Sequence, residues 1–152
     1  MNLIVPAKGG LRMIEAIGNR EAQAMLRRNL IGHLGCNVDG EPYVLPINYI
    51  YDGDCVFIHS LPGRKINALR DDPRCCLQVE EIRDEYNWRS VIAFGRYEEI
   101  TNAEERERIL GALYKRFPHL TPVESGMTKG LPEIIVFRLR VEQITGVSED
   151  WK

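Results

Sequence analysis

Two adjacent cations at the predicted start of a helix are the residues most suggestive of chemistry. The segment His59-Ser60-Leu61-Pro62-Gly63-Arg64-Lys65 ends a strand-like run, turns at Pro-Gly and continues as a predicted helix over 63–70. Lys and Arg are unfavourable in a first turn, because the helix dipole places partial positive charge there. Backbone N–H groups, the two cations and the Ser60 hydroxyl therefore point to a bound phosphate. The alternative is two solvated cations on an exposed turn.

Two further residues stand where a ligand could use them. Pro46 interrupts a run rich in Val, Ile and Tyr and has no N–H for a ladder, which predicts a bulge or an edge strand. Backbone groups freed there could contact a ligand, although a bulge needs none. His59 could hydrogen-bond a ligand or supply a proton, or it could simply pack and cap the turn. His33 and His119 are interpreted as structural residues.

The four cysteines, Cys36, Cys55, Cys75 and Cys76, form no Cys-x-x-Cys pair. Only three histidines are available, and their positions match no zinc-binding spacing. Each cysteine lies in a strand-like run, where a thiol behaves as a small buried hydrophobe. We therefore expect neither a metal site nor a disulfide.

The elements that position these residues are mostly strands. Asp39-Gly40 and Asp52-Gly53 each separate two apolar runs, which predicts two hairpins and a three-stranded antiparallel meander. A capping box at Thr101–Glu104 predicts the start of a third helix. Residues 1–19 are interpreted as an N-terminal extension, 80–87 as a connection and 119–132 as a loop. The predicted strands are 31–38, 43–51, 55–60, 75–79, 88–100 and 133–145, and the predicted helices are 20–28, 63–70 and 103–117.

Six strands without regularly alternating helices favour a mainly β fold, a six-stranded antiparallel Greek-key barrel with short peripheral helices. The length of 152 residues suits a single domain over 1–152. A net charge of −2 gives no reason to expect nucleic acid as a partner. No apolar run approaches the ~20 residues that cross a bilayer, and the start of the chain lacks a secretory pattern, so we expect a cytoplasmic protein.

The ordered combination of these motifs resembles the FMN-binding split barrels related to pyridoxamine 5′-phosphate oxidase. Within that group it is most similar to the nitroimidazole-resistance (Nim-type) flavoproteins. No single motif is highly specific, and the resemblance depends on their order from about residue 20 onward. The segments that carry it are Asp39-Gly40-Glu41-Pro42, Pro46-Ile47-Asn48-Tyr49, Phe57-Ile58-His59-Ser60, Gly63-Arg64-Lys65, Trp88 to Gly95 and Glu142 to Gly146.

The resemblance implies a split-barrel homodimer with FMN at the subunit interface. It implies that Arg64 and Lys65 hold the 5′-phosphate, with Ser60 and Asn67 adding hydrogen bonds. It also implies that His59 lies beside the flavin and is the candidate catalytic residue. The remaining implied contacts are the backbone of Pro46, Ile47 and Asn48 along the ring, and Trp88, Ser90 and Val91 lining the site.

The same resemblance implies an activity. The sequence ends at Ser148-Glu-Asp-Trp-Lys152 without the arginine-bearing segment that the oxidase uses for its substrate. We therefore expect reduction of a small planar acceptor, such as a nitroimidazole, with a nicotinamide as electron donor. The flavin would supply the chemistry and the protein the binding and orientation. The alternative is a non-catalytic flavin- or haem-binding protein with a storage or sensing role.

Overall fold

The computed structural model describes residues 3–7, 10–118 and 134–149 of the chain. These residues form one antiparallel sheet and three helices. The strands are β1 Leu3–Ala7, β2 Gly10–Ala16, β3 Ile31–Val38, β4 Glu41–Asn48, β5 Ile50–Asp52, β6 Cys55–Ser60, β7 Arg74–Asp84, β8 Asn87–Glu99 and β9 Ile135–Glu149. The helices are α1 Asn19–Arg28, α2 Arg64–Asp71 and α3 Ala103–Arg116.

The sheet is organised around β9, its longest strand. One side of β9 pairs with β8 from Phe137 to Glu149. Its other side pairs with β6 near its start and with β2 near its end. The strand order continues from β8 through β7 and β3 to β4, and the sheet does not close. The predicted mainly β split barrel is confirmed, with nine strands in the described residues where six were expected.

The first predicted hairpin is confirmed. Asp39 and Gly40 have φ values of 52° and 80°, as a two-residue type I′ turn requires. Val38 and Glu41 close this hairpin, so Pro42 and Pro46 fall at the positions that make no hydrogen bonds to β3. Their nitrogens therefore face the open side of β4, which is an edge of the sheet. Of the two predicted alternatives, Pro46 therefore marks an edge strand and not a bulge, because the β3–β4 register is regular.

The predicted meander is wrong, because the run 43–51 is two strands. The chain leaves β4 at Tyr49, whose side chain is completely buried. The Tyr49 hydroxyl donates to the carbonyl oxygen of Leu26 in α1 at 2.6 Å, and burial raises its pKa. Beyond this anchor, β5 turns away from β3 and pairs with β6 through the second predicted turn.

The prediction of a connection over 80–87 is also wrong, because β7 continues to Asp84 and β8 begins at Asn87. Glu81 and Arg89 are opposite each other in this extension. Arg28 of α1 donates to both carboxylate oxygens of Glu81, at 2.7 and 2.6 Å, and Arg89 pairs with Glu21. These ion pairs satisfy the charges inside a strand and hold α1 against β7 and β8.

Two smaller expectations need correction. The first 19 residues are more than an extension, because β1 and β2 form a hairpin and Ile14, Glu15 and Ala16 pair with the end of β9. The third helix starts at Ala103, as predicted, but its N-cap is Asn102 and not Thr101: the Asn102 side chain accepts from the Glu105 N–H at 2.9 Å. The predicted loop 119–132 lies outside the described residues.

Apolar residues divide into two clusters. The larger fills the barrel and includes side chains from α1 and α2, with Met25, Leu26, Ile66 and Leu69 fully buried. The smaller lies between α3 and the outward face of β6. All four cysteines lie in strands, as predicted, and are free thiols. None of the helices in the described ranges is long and apolar enough to cross a membrane.

The β8–β9 contact gives a stability prediction. A Cβ added at Gly95 would lie 2.0 Å from the Arg140 carbonyl oxygen, which is backbone and cannot move aside locally. We expect Gly95→Ala to lower the free energy of unfolding by about 3 kcal/mol or more, the range of severe core strain. The matched control is Gly111→Ala in α3, where no atom lies within 4 Å of the new Cβ.

The control should raise stability by about 0.5–1 kcal/mol, because alanine is the better helix former. Both variants are measured by denaturant unfolding at one protein concentration. Equal stabilities for the two variants would contradict the close approach of β8 and β9.

Candidate functional site

The start of α2 is a fixed, positively charged corner. Ile66 and Leu69 are buried in the barrel core and hold the helix in place. The N-cap, Gly63, has no side chain to cap the helix, and the first turn contains no acidic residue. An open cavity of about 490 Å³ adjoins this turn. It is lined by Asn37, Val38, Asp39, Gly40, Gly63, Arg64, Asn67, Ala68, Asp71 and Asp72.

Lys65 is the unusual charge at this corner. Its side chain is partly buried, and desolvation lowers its pKa. Cys36 opposes this shift only when it is ionised, and burial raises the pKa of the Cys36 thiol. Among the described residues, no carboxylate lies within ion-pair distance of its ammonium group. A partly buried cation without a carboxylate partner is costly, so this position fits a bound anion.

Arg64 is available to the same ligand. Its guanidinium lies 3.8 Å from Asp39, but the two side chains are 73% and 89% exposed, so the pair contributes little. The Asn67 side chain lines the same cavity. Asp72 is engaged elsewhere, since it accepts hydrogen bonds from Arg74, which lower its pKa. The structure therefore brings Arg64 and Asn67 to one cavity, with Lys65 adjacent in the same turn.

The two polar residues at the end of β6 face different ways. Ser60 donates its hydroxyl proton to the Leu61 carbonyl oxygen at 2.9 Å. It would have to rotate to donate to a phosphate. His59 lies on the opposite face of β6, where its ring packs edge-on against Tyr114 of α3 with centroids 5.6 Å apart. His59 therefore lies beside α3 and outside the lining of the 490 Å³ cavity.

The other site candidates lie on β4 and β8. We call the side of β3, β4, β7 and β8 that faces away from the barrel core the outer face. Pro46 and Asn48 of β4 lie on it, and so do Trp88 and Ser90 of β8. Trp88 donates its indole N–H to Glu149 at 2.8 Å. Ile47 and Val91 point the other way, toward the core, and Val91 is completely buried.

The outer face is largely apolar. Large hydrophobic side chains are exposed on β3, β4, β7, β8 and β9. They are Ile31 at 58%, Val44 at 66%, Ile82 at 62%, Phe94 at 39% and Val147 at 41% exposed. An exposed apolar area of this extent is typical of an interaction surface.

Sequence reasoning missed two polar residues on the outer face. His33 is opposite Pro46 in the β3–β4 register, and Gln78 is opposite His33 in the β3–β7 register. Both are partly buried and hydrogen-bonded to each other. Their shared face could have been deduced only from the strand order, since nothing in the spacing of residues 33 and 78 relates them.

Fold and corner together define a split-barrel protein with a positively charged corner at the start of its second helix. The family model described as pyridoxamine 5′-phosphate oxidase matches residues 18–148, and the chain belongs to this family. An uncharacterized protein of Rhizobium meliloti (strain 1021) is 30% identical over 142 residues, which cover 88% of this chain and 93% of that protein.

Solved structures show the same fold. A FAD-binding protein from Mesorhizobium loti is 27% identical with a TM-score of 0.77, covering 91% of this chain and 98% of that one. A candidate 5-nitroimidazole antibiotic resistance protein from Bacteroides thetaiotaomicron is 18% identical with a TM-score of 0.72, covering 98% and 92%. A FAD-binding protein from Mycobacterium smegmatis is 18% identical with a TM-score of 0.62, covering 88% and 95%.

The desolvated Lys65 predicts a stabilising substitution. We expect Lys65→Met to raise the melting temperature of the ligand-free protein by roughly 2–4 °C, the shift that ~1 kcal/mol gives in a domain of this size. The pKa of Lys65 is lowered in the folded state, so the unfolded state binds more protons and wild-type stability rises with pH in that range. The variant lacks this contribution, and its advantage should shrink at alkaline pH.

The control for this prediction is Lys115→Met, at an exposed position in the last turn of α3. A cation is favourable there, so this variant should be no more stable than wild type. Thermal unfolding at neutral and at alkaline pH measures both variants. A loss of stability in Lys65→Met would show that the ammonium group has a stabilising partner.

Proposed function

We propose that this protein is a homodimeric FMN-binding flavoprotein that reduces small planar acceptors, such as nitroaromatic compounds, in the cytoplasm. A nicotinamide would supply the electrons. The observation that carries the proposal is the corner at the start of α2, where partly buried Lys65 has no carboxylate partner among the described residues and exposed Arg64 is next to it. Two cations and free helix N–H groups suit a phosphate monoester.

Several observations support a flavin as the owner of that phosphate. The family is shown by the match over 18–148. The Mesorhizobium loti neighbour, at 27% identity, is a FAD-binding protein. In our proposal Arg64, Lys65 and Asn67 bind the 5′-phosphate, with Ser60 after rotation of its hydroxyl. The ring lies over the outer face, against the backbone of Pro46–Asn48 and against Trp88 and Ser90.

The apolar outer face supports a homodimer. Val44, Phe94 and Val147 are exposed in one chain and would be covered if a second copy packed against the sheet. A ring bound at such an interface would be shielded from water, which strengthens its polar contacts. In this arrangement Val91 supports the site from within the core, and His59 would reach the ring only from the side of α3.

The homodimer is tested by sedimentation equilibrium. The measured mass should be twice the chain mass of 17.4 kDa, and a monomer at micromolar concentration would contradict the dimer.

The phosphate assignment predicts a binding defect. Each charge-assisted contact to a phosphate is worth ~1.5–3 kcal/mol, so Arg64→Ala together with Lys65→Ala should weaken FMN binding at least tenfold. Fluorescence quenching during titration of the flavin-free protein measures the dissociation constant. The control is Arg70→Ala, which removes a cation from the other end of α2, where Arg70 pairs with Glu99. Undiminished affinity in the double variant would remove the phosphate assignment.

The identity and reactivity of the cofactor decide among the remaining possibilities. The protein is purified, its absorption spectrum recorded, and the flavin released by denaturation is separated by chromatography. FMN supports the proposal. FAD, the flavin that the Mesorhizobium loti neighbour binds, would support a flavoprotein but show that its cofactor is FAD and not FMN. A haem spectrum, or a colourless protein without affinity for either flavin, would refute the flavin assignment.

Reductase activity is tested separately on the loaded protein. Under anaerobic conditions, a reduced nicotinamide should bleach the flavin absorption, and a nitroimidazole added afterwards should restore it. Free FMN at the same concentration is the control. A bound flavin that neither donor nor acceptor affects would leave the second candidate, a non-catalytic flavin-binding protein with a storage or sensing role.

A further inference from the structure

Three polar side chains form a continuous hydrogen-bonded chain across the apolar outer face. His33 Nδ1 lies 3.2 Å from Gln78 Oε1. Gln78 Nε2 donates to the Ser90 hydroxyl oxygen at 3.0 Å and points to the Glu80 carboxylate at 3.4 Å. The chain therefore runs from β3 through β7 to β8.

The direction of each hydrogen bond follows from the chemistry of the groups. A carboxylate can only accept, so the amide nitrogen of Gln78 faces Glu80 and Ser90, and its oxygen faces His33. His33 must then carry a proton on Nδ1, which leaves Nε2 as an acceptor in the neutral ring. Ser90 accepts from Gln78, so its own hydroxyl proton is available to donate. The chain thus presents one acceptor and one donor.

The position of this chain relates it to the proposed flavin. Pro46 and Asn48 lie on β4, whereas Trp88 and Ser90 lie on β8, and the strand order places β3 and β7 between them. Strands in a sheet are about 4.8 Å apart, so β4 and β8 are roughly 14 Å apart. In our proposed arrangement one ring contacts both strands of the same chain, so it crosses β3 and β7 beside His33 and Gln78. A second open cavity, of about 480 Å³, adjoins His33 and Glu80.

We propose that His33 and Ser90 hydrogen-bond the polar edge of the flavin ring and that Gln78 positions them. His33 Nε2 accepts from the ring N–H, and the Ser90 hydroxyl donates to a ring carbonyl oxygen. His33 is then a flavin-binding residue, whereas Gln78 is a positioning residue that acts through its two neighbours. This inference rests on the proposed function, since it requires that the protein binds a flavin.

The test compares four variants with wild type by FMN titration and by the visible spectrum of the bound flavin. His33→Leu removes the acceptor and Gln78→Met removes the positioning amide, so both should weaken FMN binding about three- to tenfold and shift the flavin absorption bands. His33→Gln supplies an amide oxygen at similar reach and should restore both. Ser90→Ala removes a single oxygen atom, so it tests the donor with the least disturbance of the fold.

The matched control is Gln23→Met, the same substitution in α1 and away from the outer face, and it should leave both readouts unchanged. Circular dichroism establishes that each variant is folded. If His33→Leu and Ser90→Ala bind FMN with wild-type affinity and spectrum, the ring lies elsewhere and this inference is overturned while flavin binding stands. If wild type binds no flavin, the proposed function fails first, and this inference fails with it.

Discussion

The architecture depends on the close approach of two strands at a single glycine. At Gly95 the backbone of β8 meets the backbone of β9 so closely that a methyl group would overlap the Arg140 carbonyl. The register between the two strands shifts at this point, between Phe94 and Gly95. On its other side, β9 pairs with β6 in the part that precedes the shift along β9. It pairs with β2 in the part that follows the shift. One long strand thereby joins both halves of the barrel, and the register shift, which leaves Glu142 of β9 without a partner in β8, lies between its two sets of partners.

The candidate site is built on this frame and shows a conflict between stability and binding. The barrel core holds α2 through Ile66 and Leu69, so its first turn cannot move away from the core to expose Lys65 fully. A cation is therefore kept partly desolvated without a carboxylate beside it in the described residues. Such an arrangement costs stability in the ligand-free protein and is typical of binding sites, where the ligand compensates the charge.

The sequence predicted those parts of the fold whose signals are local. The bounds of β3 and β6 were predicted correctly, because Asp-Gly turns and apolar runs define them within a few residues. The ends of β7 and β8 were missed, because Glu81 and Arg89 resemble loop residues until Arg28 and Glu21, far away in sequence, neutralise them. The break at Tyr49 likewise depends on α1, to which its hydroxyl is bonded.

The candidate site shows the same difference between local signals and contacts that form only in the folded sheet. The cations of α2 are adjacent in sequence and could be found there, whereas His33 and Gln78 become neighbours only through the strand order.

Strand β4 lies at the open edge of the sheet, where Pro42 and Pro46 leave every second outward-facing position without an N–H donor. A foreign strand that approached this edge would find too few N–H groups to form a ladder, so the protein can expose the edge to a ligand while resisting sheet-to-sheet polymerisation and amyloid-like growth.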